Sequence, residues 1–292
     1  MLFKSRPKII ITAGDPAGIG PEITKKAISQ KDIKNLAEFI IVGDIDKKYP
    51  YIGHATAEGG RISVENIKKA VKILRGIKGK KALVTCPINK YSIKEAGFGF
   101  NGHTEMLAGL TKTKDVAMSF IKDYFRIVLV TRHIPLSKAA SEISEEKIIR
   151  TTKLFYQALN NFFKIKKPRI GIAGLNPHAG ESGIMGREET DIIIPAVRRL
   201  KIYIKNIIGP KPADIIFNDL YKRNLDGVVC MYHDQGLIPF KMLYFDKGVN
   251  LTLGLPFIRT SPDHGTAYDI AGKNIADASS MCEAIKLAIK LA

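Results

Sequence analysis

The sequence has no tryptophan and only three cysteines in 292 residues. Cys86, Cys230 and Cys282 are odd in number and far apart, and no Cys-x-x-Cys occurs. That pattern speaks against a disulfide framework and against a cysteine-rich zinc module. Cys230-x-x-His233 offers half the spacing of a metal site, but Cys230 sits in the apolar run 228–231 and reads as a small buried residue. No apolar run approaches the roughly 18 residues that cross a bilayer. The start, Met1-Leu2-Phe3-Lys4-Ser5-Arg6-Pro7, turns polar at once and does not resemble a secretion signal. No membrane partner is expected, and the expected compartment is the cytoplasm. Low-complexity tracts, internal repeats and Pro/Gly/Ser-rich linkers are also missing.

Acidic residues are scarce, 28 against 46 lysines and arginines, which leaves a net charge of +18. Such an excess raises the question of nucleic acid. The basic residues, however, fall in short scattered groups such as Lys25-Lys26, Lys80-Lys81 and Arg198-Arg199. The densest, 164–169, lacks the interleaved aromatics of a stacking platform. No nucleic-acid partner is expected.

What is present is a βα rhythm. Length alone suggests roughly two domains. Short β-rich apolar runs at 8–12, 39–42, 82–85, 116–120, 126–131, 169–173 and 227–231 alternate with helical patterns at 63–74, 144–159, 187–200 and 281–291. That alternation predicts an α/β fold around a largely parallel sheet.

Three of the six histidines occupy equivalent places. His133, His178 (in Gly174-Leu175-Asn176-Pro177-His178-Ala179-Gly180-Glu181) and His233 (in Tyr232-His233-Asp234-Gln235-Gly236) each follow a β-run. This is the edge at which open α/β sheets place ligands. A single histidine there reads as a hydrogen-bonded loop residue, whereas three imidazoles with one open position make a catalytic divalent-metal site. His54 has no such context and reads as a surface residue.

Other stretches allow two readings each. Gly14-Asp15-Pro16-Ala17-Gly18-Ile19-Gly20-Pro21-Glu22 is either a tight strand-to-helix turn or a ligand contact, and it is neither G-x-G-x-x-G nor a P-loop. In Gly102-His103-Thr104-Glu105, Thr104 either caps a helix or offers its donors to a phosphate. Lys241, Asn250 and Arg259 lie in or beside apolar sequence. A buried arginine there needs either a carboxylate partner or a phosphate.

Together, Gly14–Glu22, Cys86-Pro87-Ile88-Asn89-Lys90, Gly102–Glu105, 174–181, 232–236 and Pro256-Phe257-Ile258-Arg259-Thr260-Ser261 resemble the 4-hydroxythreonine-4-phosphate dehydrogenase family of pyridoxal phosphate biosynthesis. The likeness runs from about residue 8 to the C-terminus, with 45–65 short for the family. The segment Asp263–Lys273 is similar to the adenosine-binding loop of isopropylmalate and isocitrate dehydrogenases. The resemblance implies two α/β/α domains with a cleft between them, of the isocitrate/isopropylmalate dehydrogenase type. One would span 1–105 plus 256–292 with the cofactor loop; the other, 106–255, would hold the metal ligands and the dimer interface. It implies a substrate that is a phosphorylated hydroxy amino acid, NAD or NADP as cofactor, and one divalent ion, zinc before magnesium or cobalt. By the same resemblance His133, His178 and His233 hold the ion, with Asp214 and Asp234 nearby. His103, Thr104, Lys241, Asn250 and Arg259 contact substrate and phosphate. His264, Gly265, Thr266, Ala267 and Asp269 receive the cofactor. The catalytic base comes from Lys241 or a carboxylate such as Asp234. The family's homodimer implies shared active sites, with His233 of one subunit joining His133 and His178 of the partner subunit.

Overall fold

A computed structural model describes residues 6–100 and 102–292. In chain order the strands are β1 (Lys8–Thr12), β2 (Glu38–Val42), β3 (Lys81–Thr85), β4 (Ala117–Lys122), β5 (Phe125–Leu129), β6 (Ile170–Ala173), β7 (Ile207–Lys211), β8 (Gly227–Cys230), β9 (Val249–Leu253) and β10 (Ile258–Pro262). The α-helices are α1 (Gly20–Ile28), α2 (Ala57–Gly76), α3 (Lys90–Glu95), α4 (His103–Thr111), α5 (Ala139–Glu142), α6 (Glu145–Asn161), α7 (Ile194–Lys201), α8 (Ala213–Tyr221), α9 (His233–Tyr244) and α10 (Ser279–Leu291). The chain forms two compact units, Met1–Lys114 with Asp246–Ala292, and Asp115–Phe245. These breaks differ from the expected 105/106 and 255/256. The difference arises because α4 packs on α2, and because β9 pairs with β10.

In the first unit the strand order is β2-β1-β3-β10-β9. The first four run parallel and β9 antiparallel to β10. Strands such as Ile9-Ile10-Ile11 are fully buried, as a sheet covered on both faces requires. Helix α2 buries Val64, Ile67, Val71 and Leu74, the i, i+3, i+4 stripe of an amphipathic helix. Truncating Ile67 to alanine there should cost about 2–5 kcal/mol. Its start was hidden in the sequence by Gly59-Gly60. Thr56 caps it by accepting from the Gly59 N–H, and a side chain at Gly60 would collide with the backbone of Ser92. The C-terminal α10 docks on β10, where Thr260 Oγ1 donates to the Ala284 carbonyl.

In the second unit the order is β4-β5-β8-β6-β7, with β5, β8, β6 and β7 parallel. Phe120, Phe125, Ile127, Leu129, Val228, Leu237 and Phe240 form its core under α9. All seven expected strands occur with ends moved by at most two residues. β7, β9 and β10 were not expected. Gly209-Pro210 disguises β7, and Gly254-Leu255-Pro256 divides what reads as one apolar run into β9 and β10. The expected helix 187–200 is broken: a π-helical turn, Glu189–Ile193, precedes α7. Among the described residues no helix is long and apolar enough to cross a membrane.

Candidate active site

In the first unit a buried cation stands among neutral oxygens. On β10, Arg259 pairs with Thr252 of antiparallel β9 and with Leu83 of parallel β3. Side chains two apart on a strand share a face, so Asn250, Thr252, Thr85 and Arg259 all project to one side. The guanidinium, only 3% exposed, uses them all. Nε and Nη2 donate to Thr85 Oγ1 at 3.1 and 2.6 Å. Nη1 donates to Thr252 Oγ1 at 2.9 Å and to Asn250 Oδ1 at 3.4 Å. Burial pulls the Arg259 pKa down to about 9, while the Glu105 carboxylate works the other way. Arg259 therefore remains charged at neutral pH. Beside it, burial first and the Arg259 charge second hold His103 well below the usual imidazole range, so its ring is neutral. Among the described residues, His103 Nε2 is buried with no hydrogen-bond partner. Thr104 is buried and caps nothing; Gly102 is the N-cap of α4, with no side-chain cap. The hydrogen-bond acceptors of Arg259 are hydroxyl and amide oxygens, and the Glu105 carboxylate acts on it through its charge.

In the second unit the three histidines leave the same edge of neighbouring parallel strands. The loops are tied together from below. Thr131 donates from both N–H and Oγ1 to the Met231 carbonyl, joining the loop after β5 to that after β8. Buried Gln235 accepts from Met231 N–H at 2.7 Å and donates to the Gly174 carbonyl at 2.6 Å, joining the loop after β8 to that after β6. These ties bring the His133 and His233 rings within 5.5 Å, in a cavity of about 180 Å³ that Tyr232 and Asp234 also line. Asp234 Oδ1 lies 2.6 Å from His233 Nδ1. A neutral ring donating there leaves the Nε2 lone pair for a ligand, the arrangement that metal-binding histidines favour.

His178 behaves differently. It opens a left-handed turn, His178 to Ser182, with φ of 52, 53, 77, 42 and 59°. Its ring is exposed, with Nδ1 3.5 Å from Glu181 Oε2. The base of this turn is pinned by Glu189, 1% exposed, whose Oε1 accepts the Leu175 and Asn176 N–H at 2.7 and 2.8 Å. A side chain at Gly180 would press on the Glu189 carboxylate. Among the described residues no group of three His, Cys, Asp or Glu side chains is placed to hold a metal ion. The expected division puts His133 and His178 on one subunit and His233 on the other; within this chain His133 and His233 stand together, because β5 and β8 are adjacent.

The remaining candidates scatter. Asp214 is exposed in the first turn of α8. Lys241 sits two turns beyond His233 on α9, its ammonium 5.6 Å from the Phe245 ring centre. The loop after β10 carries His264, Gly265, Thr266, Ala267 (φ 44°) and Asp269. His264 Nδ1 is 3.0 Å from the Gly265 carbonyl, and its Nε2 is buried without a hydrogen-bond partner among the described residues. His54 is exposed and Cys230 fully buried, as the sequence suggested.

The family model described as pyridoxal phosphate biosynthetic protein PdxA matches residues 10–288. The chain belongs to this family. It is an oxidoreductase family, and a 4-hydroxythreonine-4-phosphate dehydrogenase from a Sulfurihydrogenibium species is 43% identical, over 97% of this chain and 98% of that protein. A Halalkalibacterium halodurans protein, named provisionally as a D-threonate 4-phosphate dehydrogenase, is 39% identical over 99% of this chain and 98% of its own. The crystal structure of 4-hydroxythreonine-4-phosphate dehydrogenase from Klebsiella pneumoniae superposes with a TM-score of 0.87 at 33% identity, covering 98% of this chain and 99% of that one. A β-decarboxylating dehydrogenase from Thermococcus kodakarensis shares the fold alone, with a TM-score of 0.54 at 14% identity. The chain therefore has the α/β fold of the PdxA family, a fold that the β-decarboxylating dehydrogenase shares.

Three residues that shape these clusters are scarcely marked by the sequence. Thr85 and Thr252 hold Arg259, yet strand threonines look unremarkable in sequence; the only signal is that Thr85 directly precedes the Cys86–Lys90 motif. Glu189 shapes the His178 turn, and only its place in Gly186-Arg187-Glu188-Glu189, soon after that loop, marks it.

Proposed function

We propose that this PdxA-family protein oxidises 4-phosphohydroxy-L-threonine to 2-amino-3-oxo-4-phosphooxybutanoate, which loses carbon dioxide to give 3-amino-2-oxopropyl phosphate. The observation that carries this reading is Arg259, a charged guanidinium buried among neutral acceptors beside a neutral imidazole. Such a cation is costly to bury unless an anion completes it. Arg259 and Asn250 receive the phosphate end, with Thr104 and His103 contributing donors. As an uncharged ring, His103 can give a hydrogen bond without adding a second cation to the site. The first unit also carries the nicotinamide loop, His264–Asp269, where the unpartnered His264 Nε2 suits a polar ligand atom.

The second unit supplies the metal ligands. His133 and His233 are two imidazoles of the right chemistry, with Asp234 orienting the second. The partner subunit's His178 supplies the third. Bound there, a divalent ion, zinc before magnesium or cobalt, supplies Lewis acidity toward a substrate hydroxyl, and NAD or NADP supplies the hydride acceptor. With Asp234 engaged by His233, Lys241 is the better candidate to take the hydroxyl proton; Asp214 is assigned no step. A homodimer is supported by α9 itself. Ile238, Met242 and Phe245 are exposed along the helix that begins with His233, an apolar face suited to a second copy. The enzyme would work in the cytoplasm.

The name of the Halalkalibacterium relative supports a second reading, oxidation of a four-carbon sugar-acid phosphate. Steady-state assays of 4-phosphohydroxy-L-threonine and D-threonate 4-phosphate, each with NAD and NADP, decide between them. The expected result is higher kcat/KM on the amino acid, abolished by a chelator and restored by zinc. Higher kcat/KM on the threonate would transfer the function to the second reading, and turnover of neither would end both.

A further inference from the structure

The glycine-rich turn after β1 can be read in sequence as a plain turn or as a ligand contact. In the structure its polar atoms point at another loop. Asp15 is 1% exposed. Its Oδ1 accepts the Ala17 N–H at 2.9 Å, and its Oδ2 accepts the Tyr268 hydroxyl at 2.7 Å. Four residues on, the Ile19 N–H donates to the Thr266 carbonyl at 3.0 Å. A side chain at Gly18 would lie 2.8 Å from that same carbonyl, so only glycine lets the two backbones come this close. Ser92 Oγ stands 3.5 Å from the Tyr268 hydroxyl on the other side.

Burial raises the Asp15 carboxyl above its ordinary range, against the Tyr268 and Ala17 hydrogen bonds, and burial raises the Tyr268 phenol as well. A buried carboxylate held by a phenol and an amide is an expensive way to close a turn. What it secures is the irregular segment 264–269, which has no helix or strand of its own.

We propose that Asp15 and Tyr268 are positioning residues that hold the segment 264–269 in the conformation that receives the adenosine part of the nicotinamide cofactor. The proposal rests on the reading that this segment binds the cofactor. A loop fixed before binding does not have to be ordered during it, which is the usual source of affinity in preorganised sites. The Asp15 contact acts through Tyr268, and neither residue is assigned a part in hydride transfer.

The test uses the full-length protein with Tyr268→Phe, Asp15→Asn, the double variant and Asp269→Ala. NADH and NADPH are titrated by fluorescence, with substrate KM and Tm measured alongside. Loss of one hydrogen bond to a carboxylate should raise cofactor Kd roughly tenfold. Substrate KM should stay within about twofold, and the double variant should be no worse than the weaker-binding single, since both remove one interaction. If Asp269→Ala weakens cofactor binding while Tyr268→Phe leaves it unchanged, the positioning role is overturned and the loop reading stands. Unchanged Kd in all the variants overturns both. Parallel losses in cofactor Kd, substrate KM and Tm would show general damage and also overturn it. Should Asp15→Asn fail to fold, Tyr268→Phe decides alone, because it removes only a hydroxyl.

Discussion

The Arg259 cluster of the first unit and the histidine cluster of the second are built in opposite ways. Arg259 is built into the middle of a sheet, and its acceptors come from the two flanking strands, whose register fixes them. Its hydrogen-bond partners all lie on two strands of the same sheet. The histidines hang from loops at a sheet edge, two of them paired and the third turned outward. A preformed site spends folding energy on holding a charge in place, whereas a loop-borne site defers its completion to binding or assembly.

Subunit mixing gives the largest effect that could break this contrast. His133→Ala, His178→Ala and His233→Ala should each be nearly inactive and lose bound metal, measured by atomic emission. Remixing His178→Ala with His233→Ala gives about half heterodimers with one sound site of two, so roughly a quarter of wild-type activity should return. Remixing His133→Ala with His233→Ala should return none, since both ligands come from one chain. Recovery in the second mixture would undo the pairing seen here, and no recovery in the first would place all three ligands on one subunit.

Arg259→Met probes the other half. It should cost on the order of 2–4 kcal/mol in kcat/KM for phosphorylated substrate and far less for the dephosphorylated analogue. Because it also removes a buried cation, Tm should hold or rise. Equal losses on both compounds would mean that Arg259 does not read the phosphate.

His103 gives an intermediate effect. Its folded pKa is depressed well below 6.5. The unfolded chain binds a proton below about pH 6.5 that the folded one refuses, so stability is present above that pH and lost as pH falls. The limiting slope is about 1.4 kcal/mol per pH unit. His103→Gln should remove that contribution from denaturant midpoints measured between pH 5 and 7; an unchanged slope would mean that the ring is protonated in the fold.

The smallest effect lies in the His178 turn. Ala179 holds φ at 53°, where an L-residue is strained by roughly 1–2 kcal/mol. Ala179→Gly should therefore stabilise by about 0.5–1 kcal/mol after the entropic cost of glycine. A fall in Tm would show that the turn is relaxed.

Much of this was visible in the sequence, and the exceptions share a cause. Strands such as Ile9-Ile10-Ile11 and Val228-Val229-Cys230 are legible because both faces are buried and the runs are purely apolar. β9 and β10 are not, because their inward face carries Asn250, Thr252, Arg259 and Ser261, polar residues that obscure the apolar period. The three histidines stood out by their matched places after strands. The approach of His133 to His233 did not, since it depends on strand order and on Thr131, whose bonds to Met231 no spacing reveals. The Asp15–Tyr268 contact joins residues 253 apart in the chain and left no local trace.

The β9–β10 hairpin has one more implication, for how this chain can change length. Only Gly254, Leu255, Pro256 and Phe257 separate the two strands. Gaining or losing one residue within either strand would slip the pairing by one and carry the guanidinium to the opposite face of the sheet. Lengthening the turn itself, with the pairing of Arg259 to Thr252 kept, would leave it in place. Insertions and deletions that survive among natural variants should therefore cluster in the turn or in surface loops, and those inside the paired segments should be purged.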